Sequence, residues 1–284
     1  MKDTAIQIAA TTESNVYLKR GLSEPFGAFK PKGLQTAIIE TVRRNPLLRS
    51  FVRSRTNRLL QRIRAGAIDY TLYGWSFRFF ADENTGDRKA LLTPSGFDKE
   101  ECDLIVQHVQ KDGVFLDIGS NIGIYSFYIA AKRKDMRIFA FEPTPRVYAK
   151  LSFNLATNKL NDRVTALNLA LADRKGEMRF NTQLESLVLG EGDTKVKTDT
   201  LLNILTDYDV KAVDAMKIDV EGAEDKVLRP FFETADKSLW PRLIVIEHVL
   251  PEEWDWNCID FLKENGYLQT WQGKMNTIYT LKEI

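Results

Sequence analysis

Residues 114–123 read VFLDIGSNIG, and this segment sets the class of fold. The apolar run 114–118 predicts a buried strand, and the apolar pattern that follows the turn predicts a helix. Gly119 and Gly123 permit a tight turn with a close backbone approach to a ligand. Their spacing differs from the GxGxxG pattern of dinucleotide-binding proteins, because Asn121 stands where that pattern has its second glycine. The segment therefore predicts a strand-turn-helix unit that carries a ligand site of another kind.

The same alternation of strands and helices continues toward the C-terminus. Helices are predicted at 123–134 and 145–159, and further strands at 137–141, 164–169, 215–219, 243–247, 266–271 and 276–281. Strands that alternate with helices in this way predict an α/β fold with a doubly wound parallel sheet. In such a sheet the ligand binds at the carboxyl ends of the strands.

Four central strands end in a carboxylate: Asp117, Glu142, Asp219 and Glu247. The carboxyl ends of parallel strands meet in one crevice, so these acids are expected to surround the ligand. Capping of the following helices is the alternative role for acids at these positions. The pattern therefore indicates a binding crevice without naming its occupant.

Glu142 follows Gly119 at roughly the 20-residue offset at which an acid binds ribose hydroxyls in nucleotide-binding units. A carboxylate such as Asp117 near the glycine turn would repel a pyrophosphate but can accept hydrogen bonds from an ammonium group. These features together predict a nucleoside ligand with a cationic tail. S-adenosylmethionine fits this description.

Several motifs in order resemble those of FkbM-type methyltransferases, over about three quarters of the chain from Tyr70 onward. They are DIGSNIGIYS (117–126), FEPTP (141–145), the helix end with Asn154 and Asn158, NLALAD (168–173) and MKIDVEGAEDKVL (216–228). The resemblance implies a Rossmann-like, seven-stranded class I methyltransferase sheet with helices on both faces. It also implies S-adenosylmethionine as the cofactor. One departure occurs at Thr200-Leu201-Leu202, where family members often have an Asp after the Leu.

Carried over position by position, the resemblance implies the cofactor-binding residues. These are Asp117, Gly119, Ser120, Asn121, Gly123, Glu142, Pro143, Asn168, Leu169, Ala170 and Asp219. Within this set, Glu142 matches the ribose acid, and residues 168–170 fall where the third strand usually contacts adenine. Asp219 and Glu221 match the acids that lie beside the methyl group.

Methyl transfer to a hydroxyl requires alignment of donor and acceptor and removal of the hydroxyl proton. Asp219, Glu221, Glu247 and His248 are the candidate bases, although a core or capping role for His248 is equally consistent with the sequence. The three acids could alternatively hold a divalent cation, since Mg²⁺ prefers carboxylate ligands. Tryptophans 254 and 256 are candidates for the wall of an acceptor pocket or for the core.

The charge of the chain is unevenly distributed. Residues 1–70 contain 13 Lys/Arg and 5 Asp/Glu, a net charge of +8, whereas the remainder has a net charge of −7. A helical pattern over 34–64, interrupted by Pro46, precedes a predicted β-hairpin at 68–81. These features predict a basic, partly helical extension over 1–67 and a methyltransferase domain over 68–284. The basic residues favour a solvated helix and leave open a contact with an acidic membrane surface or a partner.

The sequence predicts a cytoplasmic methyltransferase that methylates a hydroxyl of a small molecule or saccharide. It contains two well-separated cysteines and no apolar run long enough to span a membrane, and residues 1–15 lack the hydrophobic stretch of a secretory signal. No nucleic-acid partner is expected. The alternatives are a Rossmann-like oxidoreductase that uses a nicotinamide dinucleotide and a non-catalytic nucleotide-binding module. Residues 182–198 and 249–258 are predicted to shape the acceptor pocket without identifying the acceptor.

Overall fold

The computed structural model describes residues 21–45, 66–81, 85–93, 99–180, 194–248, 251 and 254–282. The helices are α1 Leu34–Arg44, α2 Thr85–Leu92, α3 Lys99–His108, α4 Ile124–Lys132, α5 Pro145–Thr157, α6 Leu201–Asp207, α7 Glu224–Thr234 and α8 Cys258–Glu264. The strands are β1 Ile68–Leu72, β2 Trp75–Phe79, β3 Val114–Ile118, β4 Arg137–Phe141, β5 Val164–Leu167, β6 Ala170–Leu171, β7 Gly176–Phe180, β8 Thr194–Asp199, β9 Ala215–Ile218, β10 Leu243–Glu247, β11 Tyr267–Gln272 and β12 Asn276–Leu281.

Seven strands form one sheet in the order β11-β12-β10-β9-β3-β4-β5. The five strands from β10 to β5 are parallel, and β12 runs antiparallel between β10 and β11. This order confirms the predicted class I sheet, and each predicted strand of the sheet is present. The strand predicted at 164–169 ends at Leu167, because Asn168 turns its side chain back to the carbonyl oxygens of Glu142 and Pro143.

The central strands are apolar on both faces. In β3, alternate residues such as Leu116 pack in a core with α6, α7 and α8, while Phe115 points to the opposite face and is also buried. Residues from β4, β9 and β10 alternate in the same way. Near-continuous apolar strands are typical of parallel sheets that are covered on both faces. The buried strands therefore hold the residues at their carboxyl ends in fixed positions.

The chain reverses its direction of travel across the sheet between β3 and β9. From β3 it proceeds through β4 to β5, whereas from β9 it proceeds to β10 on the other side. Such a reversal opens a crevice at the carboxyl ends of the two strands, where ligands bind in open α/β sheets. Gly119 follows β3 and Asp219 follows β9, so both lie at this crevice.

A small three-stranded sheet, in the order β6-β8-β7, lies between β5 and α6 in the sequence. The sequence predicted no strand between residues 170 and 214, whereas residues Thr194–Asp199 form β8. The alternation in TKVKTD, with Val196 and Thr198 buried, was the signal for this strand. Residues 181–193 lie outside the described part of the chain.

The chain forms two compact units: Met1–Lys99 with Ala149–Leu160, and Glu100–Tyr148 with Asn161–Ile284. The first unit contains α1, the predicted hairpin as β1 and β2, and α2. Residues 21–33, part of the lead-in that reads as irregular in the sequence, also belong to this unit. The predicted helical residues 46–64 lie outside the described ranges, as do residues 1–20.

Arg78 of β2 organises the first unit. Its side chain is fully buried and forms a two-pronged ion pair with Asp69 of β1, with Nε 2.7 Å from Oδ1 and Nη2 2.9 Å from Oδ2. The guanidinium group also donates to the carbonyl oxygens of Gly21, Glu24 and Pro25. A buried charge is stable only when paired and hydrogen-bonded in this manner. Arg78 thus joins residues 21–25 to the hairpin.

Candidate active site

The glycine turn after β3 is confined by the loop after β9. Gly119 has φ 74°, and a Cβ atom placed there would lie 1.9 Å from the carbonyl oxygen of Asp219. Gly123, with φ 89°, precedes the first residue of α4 in the left-handed conformation. Asn121 between them has φ 50° and a buried Oδ1 without a hydrogen-bond partner among the described residues. Only a residue without a side chain fits at Gly119.

Asp117, the last acid before this turn, is fully buried. Its Oδ2 accepts hydrogen bonds from Ser126 N at 3.1 Å and Ser126 Oγ at 2.6 Å. Burial raises the pKa of Asp117, and the nearby Lys217 ammonium opposes this rise. The carboxylate therefore anchors the first turns of α4 beneath the glycine turn.

Glu142, the acid after β4, holds two turns together. Its Oε2 accepts from Asn121 N at 3.1 Å, and its Oε1 accepts from Thr144 N at 2.9 Å. The residue is 6% exposed, and burial raises its pKa to about 7, although these backbone donors favour the charged form. Each oxygen keeps a lone pair for a ligand hydroxyl, because a carboxylate can accept about four hydrogen bonds.

An apolar pocket of about 240 Å³ opens beside these turns. The predicted cofactor residues that line it are Gly119, Pro143, Leu169 and Ala170. Ser120 and Asn168 support its walls: Ser120 Oγ donates to Phe141 O at 3.2 Å, and Asn168 Nδ2 donates to Glu142 O and Pro143 O. The structure thus brings residues of the DIGSNIGIYS, FEPTP and NLALAD motifs to one pocket.

Three carboxylates meet at the ends of β9 and β10. One oxygen from each of Asp219, Glu221 and Glu247 lies within 4.8 Å of the other two. Burial, together with the negative charges of Asp219 and Glu221, raises the pKa of Glu247 to about 9. Lys217 Nζ lies 3.1 Å from Asp219 Oδ2 and pairs with this carboxylate. We refer to these three residues as the acid cluster.

His248, the fourth candidate base, is half-buried and bonded to the neighbouring strand. Its Nδ1 lies 3.1 Å from Thr277 Oγ1, and its backbone N donates to Met275 O. These contacts attach the end of β10 to β12. They hold the imidazole in place, and both the catalytic and the structural role of His248 stay predictions.

The loop after β9 is fastened to residues 254–256. Glu224 accepts from Val220 N at 2.9 Å through Oε1 and from Trp254 Nε1 at 2.8 Å through Oε2. Trp254 and Trp256 pack partly buried against the main hydrophobic core. Neither tryptophan is among the residues that line the 240 Å³ pocket. The rest of the predicted acceptor loop, residues 249–250 and 252–253, lies outside the described residues.

Sequence reasoning missed several residues at this site. Lys217 is buried within an otherwise apolar strand, and a lysine in such a segment was the available signal. Other missed residues line the pocket from β7, from the turn before it, from the loop after β9 and from α7; they are Asp173, Arg174, Met178, Val220, Ala223 and Lys226. Asp173, Val220, Ala223 and Lys226 lie within the quoted family motifs, whereas Arg174 and Met178 lie outside them, and only the folded chain brings all six to one pocket.

The family model described as "Methyltransferase FkbM domain" matches residues 117–268, more than half of the chain. The match includes the glycine turn, Glu142, the pocket wall and the acid cluster. The chain belongs to the FkbM methyltransferase family. It is therefore a methyltransferase with S-adenosylmethionine as methyl donor, and the predicted oxidoreductase and non-catalytic alternatives are not favoured.

Three curated relatives illustrate the range of this FkbM family. Methyltransferase sdnD of Sordaria araneosa is 27% identical, with 53% of this chain and 70% of the relative covered. Hexuronic acid methyltransferase AglP of Haloferax volcanii is 29% identical, with 44% and 53% covered. The 31-O-demethyl-FK506 methyltransferase FkbM of Streptomyces tacrolimicus is 25% identical, with 46% and 62% covered. The match thus spans less than two thirds of the latter two relatives.

Among solved structures, a precorrin-6y C5,15-methyltransferase from Geobacter metallireducens is similar with a TM-score of 0.41 at 17% identity, covering 65% of this chain and 89% of that one. The strand order of the sheet, not this likeness, assigns the class of fold. Within the described ranges, no helix combines the length and the apolar character needed to cross a bilayer.

Proposed function

We propose that this FkbM-family protein transfers the methyl group of S-adenosylmethionine to a hydroxyl oxygen of a small molecule or saccharide. The observation that carries the proposal is the contact of Gly119 with Asp219 O, because it places the donor-binding turn directly against the acid-bearing loop. Support for an oxygen acceptor comes from relatives whose names specify a hexuronic acid and a 31-O position. A cytoplasmic location stays a prediction from the sequence.

The residues present fit the donor. The apolar pocket beside Leu169 and Ala170 suits an adenine ring, and Glu142 lies next to it with lone pairs for ribose hydroxyls. The turn at Gly119 excludes side chains and leaves backbone near the ligand, and the buried Oδ1 of Asn121 is an acceptor for a donor ammonium or its water. When bound, S-adenosylmethionine supplies a methyl group on a positively charged sulfur.

The acid cluster supplies the proton acceptor. Oxygen methylation requires the hydroxyl proton to leave, and a carboxylate within hydrogen-bond reach can take it. Burial and the neighbouring negative charges raise the pKa of Glu247, and Asp219 and Glu221 are the other carboxylates of the cluster able to act as base. His248 is the remaining candidate, held by Thr277.

A divalent cation at the acid cluster is a second candidate, favoured by the 4.8 Å separation of the three oxygens. A cation would orient the acceptor oxygen and lower its pKa. Calorimetric titration of the protein with MgCl₂, alongside the Asp219→Asn variant, tests this role. Heat that is absent, or equal in the two proteins, would contradict it.

Calorimetric titration with S-adenosylmethionine tests the proposed function. We expect saturable binding by the wild type, and at least about tenfold weaker binding by Glu142→Gln because the amide presents one acceptor oxygen in place of two. Glu233→Gln, an exposed site on α7, is the matched control and should bind as wild type does. No binding by the wild-type protein would refute the proposal.

The acceptor class requires a separate assay. Purified protein and methyl-labelled S-adenosylmethionine are incubated with a panel of uronic acids, neutral saccharides and hydroxylated small molecules. Each compound is paired with its O-methylated counterpart, which should accept no label if the hydroxyl is the target. Equal labelling of both members of a pair would argue against oxygen methylation.

A further inference from the structure

Lys217 carries a buried positive charge that the roles assigned above do not require. It is the third residue of β9 and is 4% exposed. An ammonium group at such a place is costly unless charged and hydrogen-bonding partners surround it. A leucine or valine would satisfy the packing of a central strand, so the lysine calls for a separate explanation.

The ammonium group joins the two loops of the site. Lys217 Nζ donates to Gly119 O at 3.0 Å and lies 3.1 Å from Asp219 Oδ2. Gly119 belongs to the donor-binding turn, and Asp219 belongs to the acid cluster. The two loops already touch where Gly119 lacks a side chain. One cation therefore bonds the backbone of the donor side and the carboxylate of the acceptor side.

An aromatic ring and a buried network hold the lysine from α4. Lys217 Nζ lies 5.4 Å from the centre of the Tyr125 ring, a cation-π distance. The Tyr125 hydroxyl donates to Glu101, whose Oε2 also accepts from Asn276 Nδ2 at 2.8 Å. Asn276 is the strand partner of Glu247. The position of Lys217 is thus fixed from several elements at once.

The positive charge of Lys217 also acts on two buried acids near the donor-binding turn. It opposes the burial-driven rise in the pKa of Asp117, and it does the same at Glu142 to a smaller extent. S-adenosylmethionine carries a positive sulfur, whereas its product S-adenosylhomocysteine has a neutral one. A positive charge within the crevice therefore weakens donor binding relative to product binding.

We propose that Lys217 is a positioning residue for the donor: it holds the Gly119 carbonyl and the Asp219 carboxylate in fixed relative positions, and its charge lowers the affinity for the cationic donor relative to the product. This inference rests on the proposed methyltransferase function. Without the ammonium group, the Gly119 turn becomes ordered only when a ligand binds, and the cost of this ordering reduces affinity for both ligands. It simultaneously removes a repulsive charge, which benefits only the cationic donor.

Calorimetry with S-adenosylhomocysteine and S-adenosylmethionine tests the proposal. We expect Lys217→Met to bind S-adenosylhomocysteine at least about tenfold more weakly than wild type. The ratio of the two Kd values, product over donor, should rise at least about threefold. Lys217→Arg keeps the charge and should keep the ratio within about twofold of wild type. If Lys217→Met does not fold, Lys217→Gln replaces it with the same expected change in the ratio.

Lys150→Met is the matched control. Lys150 is 2% exposed, pairs with Asp87 at 3.6 Å and lies over the Phe80 ring, so its replacement also removes a buried, ring-stacked lysine. Its Kd ratio should equal that of wild type even if its Tm falls. A Lys217→Met protein that binds product within about threefold of wild type, or that weakens both ligands by one factor, would overturn the proposal. Wild-type protein that binds neither ligand would instead overturn the proposed function and this inference with it.

Discussion

Gly119 is confined by a backbone oxygen rather than by a flexible side chain. Its φ of 74° is unfavourable for other residues, and the 1.9 Å approach of an added Cβ to Asp219 O adds a collision that only a backbone shift can relieve. Gly74 has a similar φ of 83° but no atom within 4 Å of an added Cβ. Substitution of the two glycines therefore distinguishes the cost of the left-handed conformation from the cost of a collision with a neighbouring backbone atom.

We expect Gly74→Ala to lower the free energy of unfolding by about 1 kcal/mol, the usual penalty of the left-handed region. Gly119→Ala should lower it by at least about 2 kcal/mol more and abolish donor binding, because the turn moves away from the β9 loop. Urea denaturation and calorimetry measure the two effects. Equal losses of stability in both variants would show that the contact with Asp219 does not constrain the turn.

Glu142 makes the stability of the fold depend on pH. Its pKa of about 7 exceeds the ordinary value of 4.5, so the folded state holds the proton over a range where the unfolded state has released it. The folded state therefore binds more protons between these values, and stability falls as pH rises through this range. Ionisation of this site should cost up to about 3 kcal/mol by about pH 8.

The comparison of wild type with Glu142→Gln isolates this contribution. Unfolding free energies measured from about pH 4.5 to about pH 8 should fall more steeply for the wild type, because glutamine does not titrate. Other buried acids contribute equally to both proteins and cancel in the difference. Parallel pH profiles for the two proteins would contradict the raised pKa of Glu142.

At the scale of elements, the hairpin β1–β2 depends on one ion pair. Arg78 and Asp69 have no exposed side-chain surface, and the guanidinium group stacks between the rings of Phe29 and Phe153, 4.7 and 4.2 Å from their centres. Asn154 and Asn158 of the α5 region also bond to β2, through Arg78 N and through the backbone of Ser76. These asparagines, which the sequence placed among the family motifs, therefore have a structural role within this unit.

Removal of the guanidinium group should unfold this arrangement. We expect Arg78→Met to lower the free energy of unfolding by about 3–5 kcal/mol, since Asp69 remains buried without its cation. Arg229→Met breaks an exposed pair with Glu233 and should cost at most about 0.5 kcal/mol. Thermal and urea denaturation give both values. A loss below about 1 kcal/mol for Arg78→Met would mean that Asp69 is satisfied by its backbone donors Gly27 N and Phe29 N.

At the scale of the whole molecule, the uneven charge of the sequence acquires a partial explanation. The segment from Thr71 onward has a net charge of −7, and it includes the strand-end acids of the crevice. Such an excess of negative charge attracts a cationic donor. In the basic segment, residues 21–25, which bond to Arg78, and helix α1 are described, and Arg43 of α1 stacks on Tyr70, 4.6 Å from its ring centre. These contacts give part of the basic segment a role in packing.

Most of the sheet could be predicted from the sequence because its signals are local. Strand boundaries at 114–118, 137–141, 243–247 and 276–281 coincide with those observed, since runs of apolar, aromatic and β-branched residues bounded by turn residues mark strands. The small sheet containing β8 was missed because its strands are half-exposed and carry charges. In β8 the alternation includes one apolar residue, Val196, among threonines and charged residues, so its hydrophobic signal is weak.

The residues of the candidate site likewise fall into two groups: those that local sequence patterns indicated and those that only the fold brings together. Local patterns indicated the glycine turn, the ribose acid and the strand-end carboxylates, because each is tied to the strand that precedes it. The partners of Lys217 could not be read from such patterns: Gly119, whose carbonyl it binds, is 98 residues away in the sequence. The link of Glu101 to Asn276 spans 175 residues.

Periodicity and turn residues thus specify an α/β fold with acids at its strand ends, and the resemblance of its motifs to FkbM-type methyltransferases implies the seven strands and the activity. Folding alone settles which of those acids meet and which buried cation joins the two loops. The physical reason is that periodicity reports the environment of a residue along its own element. Charge interactions in a crevice instead depend on distances between elements, and these distances exist only once the sheet has assembled.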